Sequence, residues 1–521
     1  MWIVLGEERG RMKLVSKSGT TGILPKGSFL TINNGETKHI LRVDDTRQIE
    51  PYSPSPMLAD MDLSPLKQDQ KCQNIIYAYR VKDITSRTDG LIDFIPPQAI
   101  ARRSNQEEID NALDAEVEGP PVFIATLYSG KNQLLCDEEG TPITAHLPTD
   151  MFYHQMMVCG KTGSGKTVAT KYLAQYFVED LKGFGAVLAI NVKDVDFLKM
   201  DKQSNTIYKT IMDEWNSLNI KPHGINNFTI YYPANTSIDP EQDINYKICK
   251  KITINVQELD PDALSGLIIG LTDIAAQHLP NIFRKWQYDR KIKGGEFSFS
   301  NFVKYFADGI YEKYTYPTLN SRGDELEVKI PPGTYGNILR NLEYAMDFFD
   351  NEGAVSLKSE DILTRGKMSV INVAGSKGIQ FGSIILRHLL KSIIESKSSG
   401  RSNVPILIII DEVHQFYNST SSREALGELD TICRTGRSKE IGVIFSSQNP
   451  SDIPRGLSSV INTKIFFKSD SAVAKDYGVK VSDEEMQSLR KGYAVASIHE
   501  LIQLKVLKFP LALSGVFEKD E

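Results

Sequence analysis

Gly160-Lys161-Thr162-Gly163-Ser164-Gly165-Lys166-Thr167 fills every position of the pattern G-x-x-x-x-G-K-[ST]. A short apolar run, Met156-Met157-Val158-Cys159, precedes it, and a helix-forming stretch, Thr170–Leu181, follows. Strand, glycine-rich turn and helix in this order are the context in which the pattern holds phosphate. Glycines reach backbone conformations closed to other residues and let N–H groups approach an anion. The helix N-terminus adds partial positive charge. The Lys166 ammonium is expected at the β- and γ-phosphates of a nucleotide, and the Thr167 hydroxyl on Mg²⁺. The cradle so defined runs from Gly160 to Val168. Alone, it leaves ATP against GTP, and kinase against motor, open.

Working outward, Gly185–Ile190 reads as a second buried strand, and β-loop-α-β order predicts a parallel α/β sheet. Far downstream, Ile406-Leu407-Ile408-Ile409-Ile410 is apolar throughout, as a strand covered on both faces must be. It ends in Asp411-Glu412. Ligands of open α/β sheets sit at the C-terminal strand edge. Asp411 is placed there to hold Mg²⁺, and Glu412 to act as general base on water. Small-molecule kinases have no water to activate, so Glu412 favours a motor. Ile441–Ser447 is another strand, expected beside Asp411, and it ends in Gln448, a candidate γ-phosphate sensor. Arg434, Arg437 and Lys439 lie just before it. They are either a solvated charged turn or the source of an arginine that completes a neighbouring subunit's site. Spacing does not choose between the two.

Residues 1–120 carry short β-rich pieces such as Leu41–Val43 and Asn74–Tyr79, with an Asn34-Gly35 hairpin signal. They predict a small β-barrel. Arg102–Glu118 is charged and reads as a short helix plus linker. Residues 121–200 and 361–521 read as two parts of one nucleotide-binding core, the second with a C-terminal tail. Residues 201–360 read as a mostly helical insertion, with Phe228–Tyr232 and Lys251–Val256 strand-like. Further on, Met368–Val373 is a strand, Phe381–Ser396 an amphipathic helix and Ser422–Arg434 another helix.

Composition excludes little. The 521 residues carry 60 Lys+Arg against 66 Asp+Glu, a formal net charge of −6. That gives no broad basic surface for nucleic acid, so any DNA contact has to be local. Two local candidates are Phe283–Gly295, basic with interleaved aromatics, and the loop Ala374–Gly378. The plainer reading of the first is an amphipathic helix with a solvated basic face. No base-reading motif is present, so DNA binding would be sequence-independent. Cys72, Cys136, Cys159, Cys249 and Cys433 are scattered without CxxC spacing, against a disulfide framework or a structural zinc site. No secretory leader or membrane-length apolar run is read, and the expected location is cytoplasmic.

The chain resembles the HerA family, the hexameric DNA-translocating ATPases of the HerA/FtsK group. The resemblance rests on the loop Gly160–Thr167, on Leu407–Glu412, and on the block Arg434–Val443 leading to Ser446-Ser447-Gln448-Asn449-Pro450-Ser451. Ile190–Asp196 looks like the second strand and turn of bacterial members. The resemblance implies an N-terminal β-barrel ahead of a RecA-like core with a helical insertion. It implies Lys166 and Thr167 on ATP and Mg²⁺, Asp411 and Glu412 as the acidic pair, and Gln448 as sensor. Arg437, before Arg434, becomes the preferred arginine finger acting in trans. It further implies a homo-hexameric ring on duplex DNA, a partner nuclease or other effector held by the barrel, and a role in antiviral defence or DNA end processing. An ATP-regulated scaffold that gates an effector is the alternative. A conjugative coupling protein is disfavoured without membrane helices, and a small-molecule kinase by Glu412.

Overall fold

The computed structural model describes residues 1–17, 22–49, 73–114, 118–127, 133–193, 196–236, 243–262, 264, 268, 271–374, 378–413, 429, 431–453 and 460–517. Six N-terminal strands close into an antiparallel barrel. They are Trp2–Glu8 (β1), Arg11–Ser16 (β2), Phe29–Asn34 (β3), Thr37–Ile49 (β4), Gln73–Ile84 (β5) and Ile100–Arg103 (β6), in the order β1-β2-β5-β4-β3-β6. Alternate residues fill the interior: Val4, Leu14, Leu30, Ile32, Leu41, Val43, Ile76 and Ala78. The β3–β4 hairpin turns at Gly35, whose φ of +63° is the left-handed region.

Arg102 and Arg103, read as helix and linker, belong to β6, which pairs with β1 and β3 to close the barrel. Only Ala101 of that strand points inward, fully buried. A closing strand with a single inward residue leaves no alternation to read. The helix that follows, Gln106–Leu113 (α1), is capped by Asn105 and Glu108 in a reciprocal box.

The rest of the chain is organised on one large sheet. Among the described residues it comprises Pro121–Thr126 (β7), Gln133–Leu134 (β8), Thr144–His146 (β9), Met156–Cys159 (β10), Ala186–Asn191 (β11), Phe228–Pro233 (β12) and Cys249–Thr253 (β13), then Val355–Ser356, Met368–Asn372, Ile406–Ile410, Ile441–Ser447, Thr463–Phe466, Tyr493–Ser497 and Val506–Lys508. A separate hairpin, Thr315–Leu319 (β14) with Glu325–Lys329 (β15), precedes the last seven, which are therefore β16 to β22. The order is β16-β13-β12-β17-β11-β18-β19-β10-β20-β21-β22-β7-β8, with β9 on β7. Strands from β16 to β20 run parallel, and those beyond are antiparallel. This is the RecA-like α/β arrangement the resemblance implies.

Both faces of the parallel part are packed, which explains its unbroken apolar runs. Ile406, Ile408 and Ile410 face one core, and Leu407 and Ile409 the other. All five are fully buried, worth roughly 1.5–3 kcal/mol each. Lys166–Glu179 (α2) covers one face through Tyr172, Leu173 and Phe177. Between β11 and β12 lies Lys209–Ser217 (α3). The opposite core is shared with Asp273–Lys293 (α4), Phe299–Asp308 (α5), Pro332–Ala345 (α6) and Gly378–Ser398 (α7). Strands β12, β13 and β16, from within residues 201–360, extend the main sheet, while α4 to α6 with β14–β15 form a lobe beside it. No helix among the described residues is long and apolar enough to cross a membrane. Cys136, Cys159, Cys249 and Cys433 are unbridged.

Candidate nucleotide site

Three neighbouring strands deliver the predicted residues to one edge. β19 lies between β18 and β10, in register Ile410 to Phe445 and Ser447 to Cys159. The C-terminal ends of these strands therefore bring Asp411-Glu412, Gln448 and Gly160 together. Gln155 helps set that register. Its buried amide oxygen accepts from Val443 N at 2.8 Å, joining the start of β10 to β19. Gly442 is required by the same junction, since a Cβ there would lie 2.1 Å from Phe152 O.

The loop from Gly160 to Gly165 is fixed by its neighbours. Gly160 N donates to Ser447 O at 3.3 Å and Lys161 N to Lys468 O at 2.8 Å. The Ser164 hydroxyl donates to Lys161 O at 2.7 Å. Gly163 and Gly165 have φ of +77° and +111°, and a Cβ on Gly165 would sit 2.9 Å from Gly492 N. Lys161, Thr162 and Gly163 face solvent, and Val168 packs half-buried against the α2-side core.

Two observations show that these residues fit a nucleotide. Helix α2 starts at Gly165 with no side-chain cap, so its first N–H groups are left for a ligand. The Lys166 stem is packed away, and among the described residues no side chain pairs with its ammonium. Thr167 follows, half-buried, at the head of the same helix.

Across from the loop, Asp411 and Glu412 are 5% and 6% exposed. Burial raises the Asp411 carboxyl to about 6; the adjacent Ser446 hydroxyl opposes the rise, and Glu412 and Asp196 add to it. Such a carboxyl suits a divalent cation, whose charge would favour its ionised form. Glu412 has φ +45°, a left-handed conformation rare for a non-glycine residue and common at functional sites. Its Oε1 accepts from Gln448 Nε2 at 3.1 Å. The carboxylate and the amide are thus brought together.

Arg437 is not brought to this site. It precedes the N-terminal end of β19, at the opposite edge of the sheet, 63% exposed and 3.2 Å from Asp150 Oδ2. Arg434 is exposed on the same side. The helix expected over Ser422–Arg434 and the loop Ala374–Gly378 fall largely or partly outside the described residues. Phe283–Gly295 takes its plainer reading. It lies mostly in α4, with Phe283, Trp286 and Gln287 buried, and with Lys285 paired to Asp289 and Glu325.

Sequence reading missed Lys171 and Asp196. Lys171 lies one turn beyond Thr167, and burial lowers its ammonium to about 8, against the pull of Asp196 and Asp411. It donates to Gly515 O at 2.7 Å, tying the C-terminal segment to the nucleotide helix. A lysine inside the run Val168–Ala174 was the available signal.

The description "Helicase HerA, central domain" matches residues 132–393, and "Helicase HerA-like C-terminal" matches residues 336–478. The chain belongs to the HerA helicase family. The first HerA match spans the phosphate loop, and the second spans Asp411, Glu412, Arg437 and Gln448. A DNA double-strand break repair helicase HerA of Saccharolobus solfataricus is 28% identical over 233 residues, 40% of this chain and 46% of that one. The protein of the same name from Sulfurisphaera tokodaii is 21% identical over 262 residues, 48% of this chain and 51% of that one. The chain thus spans about half the length of these HerA relatives. Among solved structures, the bacterial conjugative coupling protein TrwBdeltaN70 in complex with sulphate is similar, with a TM-score of 0.47 and 14% identity. That match covers 80% of this chain and 95% of that one.

Proposed function

We propose that this HerA-family chain is an ATP-driven ring motor that moves duplex DNA. The observation that carries the reading is Lys166 at the head of an uncapped helix, on the same sheet edge as Asp411 and the Glu412–Gln448 contact. Lys166 and the loop N–H groups hold the phosphates. Thr167 and Asp411 hold Mg²⁺, which supplies charge neutralisation at the phosphates. Glu412 takes a proton from the attacking water, and Gln448 orients the carboxylate for it. Arg437, too far from its own site, serves the nucleotide of the next protomer, as a head-to-tail ring requires. DNA contact is sequence-independent.

The barrel is proposed to hold a nuclease or other effector, in DNA end processing or antiviral defence. Leu91, Ile92 and Phe94 are 65%, 73% and 91% exposed on the segment between β5 and β6. That apolar patch favours the second reading as well, a ring that gates an effector with or without translocation. The test is electron microscopy of the protein with ATP and duplex DNA, together with DNA-stimulated hydrolysis. Six-fold rings with density in the hole, and hydrolysis lost in Lys166→Ala, are expected. A strictly monomeric chain, or Lys166→Ala hydrolysing at the unaltered rate, overturns the proposal.

A further inference from the structure

At the edge opposite the nucleotide site, three donor side chains from distant parts of the sequence converge. Asp150 and His154 lie on a short 3₁₀ turn, Thr149–His154, just before β10. His499 lies just after β21. One carboxylate oxygen and two imidazole nitrogens all fall within 4.8 Å of one another. The His154 Nε2 to Asp150 Oδ2 distance is 3.0 Å, and the two imidazoles stack with centroids 3.6 Å apart, so one ring has to turn out of the stack for both nitrogens to face a common ion.

The backbone holds this arrangement in place. Asn462 N donates to His154 O at 3.1 Å, and His499 N donates to the Thr463 hydroxyl at 3.2 Å. The starts of β10 and β20 and the end of β21 are therefore locked at one edge. A carboxamide nitrogen of Asn462 lies 3.0 Å from His154 Nδ1. A half-turn of that amide would present its oxygen to an Nδ1–H, leaving Nε2 free to coordinate. Histidine ligands of metals are ordinarily held in this way through the second nitrogen.

We infer that Asp150, His154 and His499 form a binding site for a divalent transition ion of the zinc class. Two imidazoles and one carboxylate are a donor set such ions accept, with water completing four-coordination. Cysteine spacing could not reveal this site, because its donors are histidines and an aspartate 4 and 345 residues apart along the chain.

The ion would also compete with Arg437. Asp150 Oδ2 is the atom that Arg437 Nη2 contacts at 3.2 Å. Metal on Asp150 removes that anchor and frees the guanidinium. This consequence rests on the reading of Arg437 as an arginine acting in trans; the metal site does not.

The test uses the full chain, stripped with a chelator and titrated with Zn²⁺ or Co²⁺. One ion per chain is expected, with Co²⁺ giving the visible bands of a four-coordinate nitrogen and oxygen site. Zn²⁺ should also shield His499 from diethylpyrocarbonate, read by peptide mass spectrometry. His499→Ala and Asp150→Asn should each weaken binding on the order of tenfold or more. Absence of Co²⁺ bands in the unaltered chain overturns the inference. So does binding that persists unchanged in both variants, or His499 that stays reactive under saturating Zn²⁺. The last measurement needs no variant to fold. ATP turnover that ignores Zn²⁺ while the ion binds would instead sink only the link to Arg437.

Discussion

Arginine 437 supplies the sharpest prediction, because its place in the fold excludes action on its own nucleotide. It stands before the first residue of β19, and Gln448 follows the last. Seven residues of strand separate the two ends, about 20 Å at the usual rise per residue. No arginine side chain spans that distance. If Arg437 completes a site, the site belongs to another protomer. Arg437→Ala and Lys166→Ala should then each abolish hydrolysis, yet complement one another in mixed rings. A working site needs an intact Lys166 in its own protomer and an intact Arg437 in its neighbour. With equal random mixing, half of the protomers keep Lys166, and half of their neighbours supply Arg437. About a quarter of the sites are complete, so about a quarter of the unaltered rate should return. The assay is ATP hydrolysis by rings purified through two different tags after co-expression. Mixed rings no more active than either variant alone would refute the reasoning. Arg437 would then be a surface residue held by Asp150.

Three further outcomes are expected. Glu412→Gln should bind nucleotide normally while turnover falls roughly 10²- to 10⁴-fold, the usual loss for a general base; isothermal titration beside a phosphate-release assay separates the two effects. Gly165→Ala forces a Cβ toward Gly492 N at a φ of +111°, and nucleotide affinity should drop roughly 10- to 100-fold, read by fluorescent-nucleotide titration. Asp411 carries a pH signature. Its folded carboxyl, near 6, lies above the ordinary 3.8, so the folded state holds its proton more tightly than the unfolded one. Stability from this group is present below about pH 4 and lost as pH rises through 6, about 3 kcal/mol in all. Asp411→Asn should remove that slope in urea unfolding between pH 4.5 and pH 7.5 without nucleotide. Equal slopes in the two proteins would contradict the assignment.

What the sequence made legible follows from how local each signal is. The phosphate loop and Ile406–Glu412 are contiguous, and their residue types are dictated by one turn and one doubly covered strand. Both are found where expected. That β19 lies beside β18 was legible from two apolar strands with polar ends, but the Glu412–Gln448 contact was not, since Gln448 was read as a γ-phosphate sensor. β6 was not legible, since one inward Ala101 gives no periodicity. Lys171 and Asp196 were missed for a different reason. Their importance comes from the folded chain, where Lys171 is buried on the carbonyl of Gly515 and the charge of Asp196 acts on both Lys171 and Asp411. The donors around His154 share that property.

The strand β19 is what turns these separate readings into one mechanism. All seven of its residues are buried, and it is hydrogen-bonded on both sides, to β18 and β10. A strand so enclosed moves as a unit, because packed interiors do not deform continuously. At one end Gln448 touches the carboxylate proposed to activate water; at the other, Arg437 emerges toward solvent. A displacement of Gln448 on loss of the γ-phosphate has no slack to absorb it along β19. If it is passed on, it would reach the turn that carries Arg437, and in a ring it would be felt in the neighbour's site. Firing order around the ring would then be set by a rigid strand, and the mobile part of the relay would be the Arg437–Asp150 contact alone. Lengthening the turn between Arg437 and Ile441 should for that reason uncouple neighbours while each site still binds nucleotide.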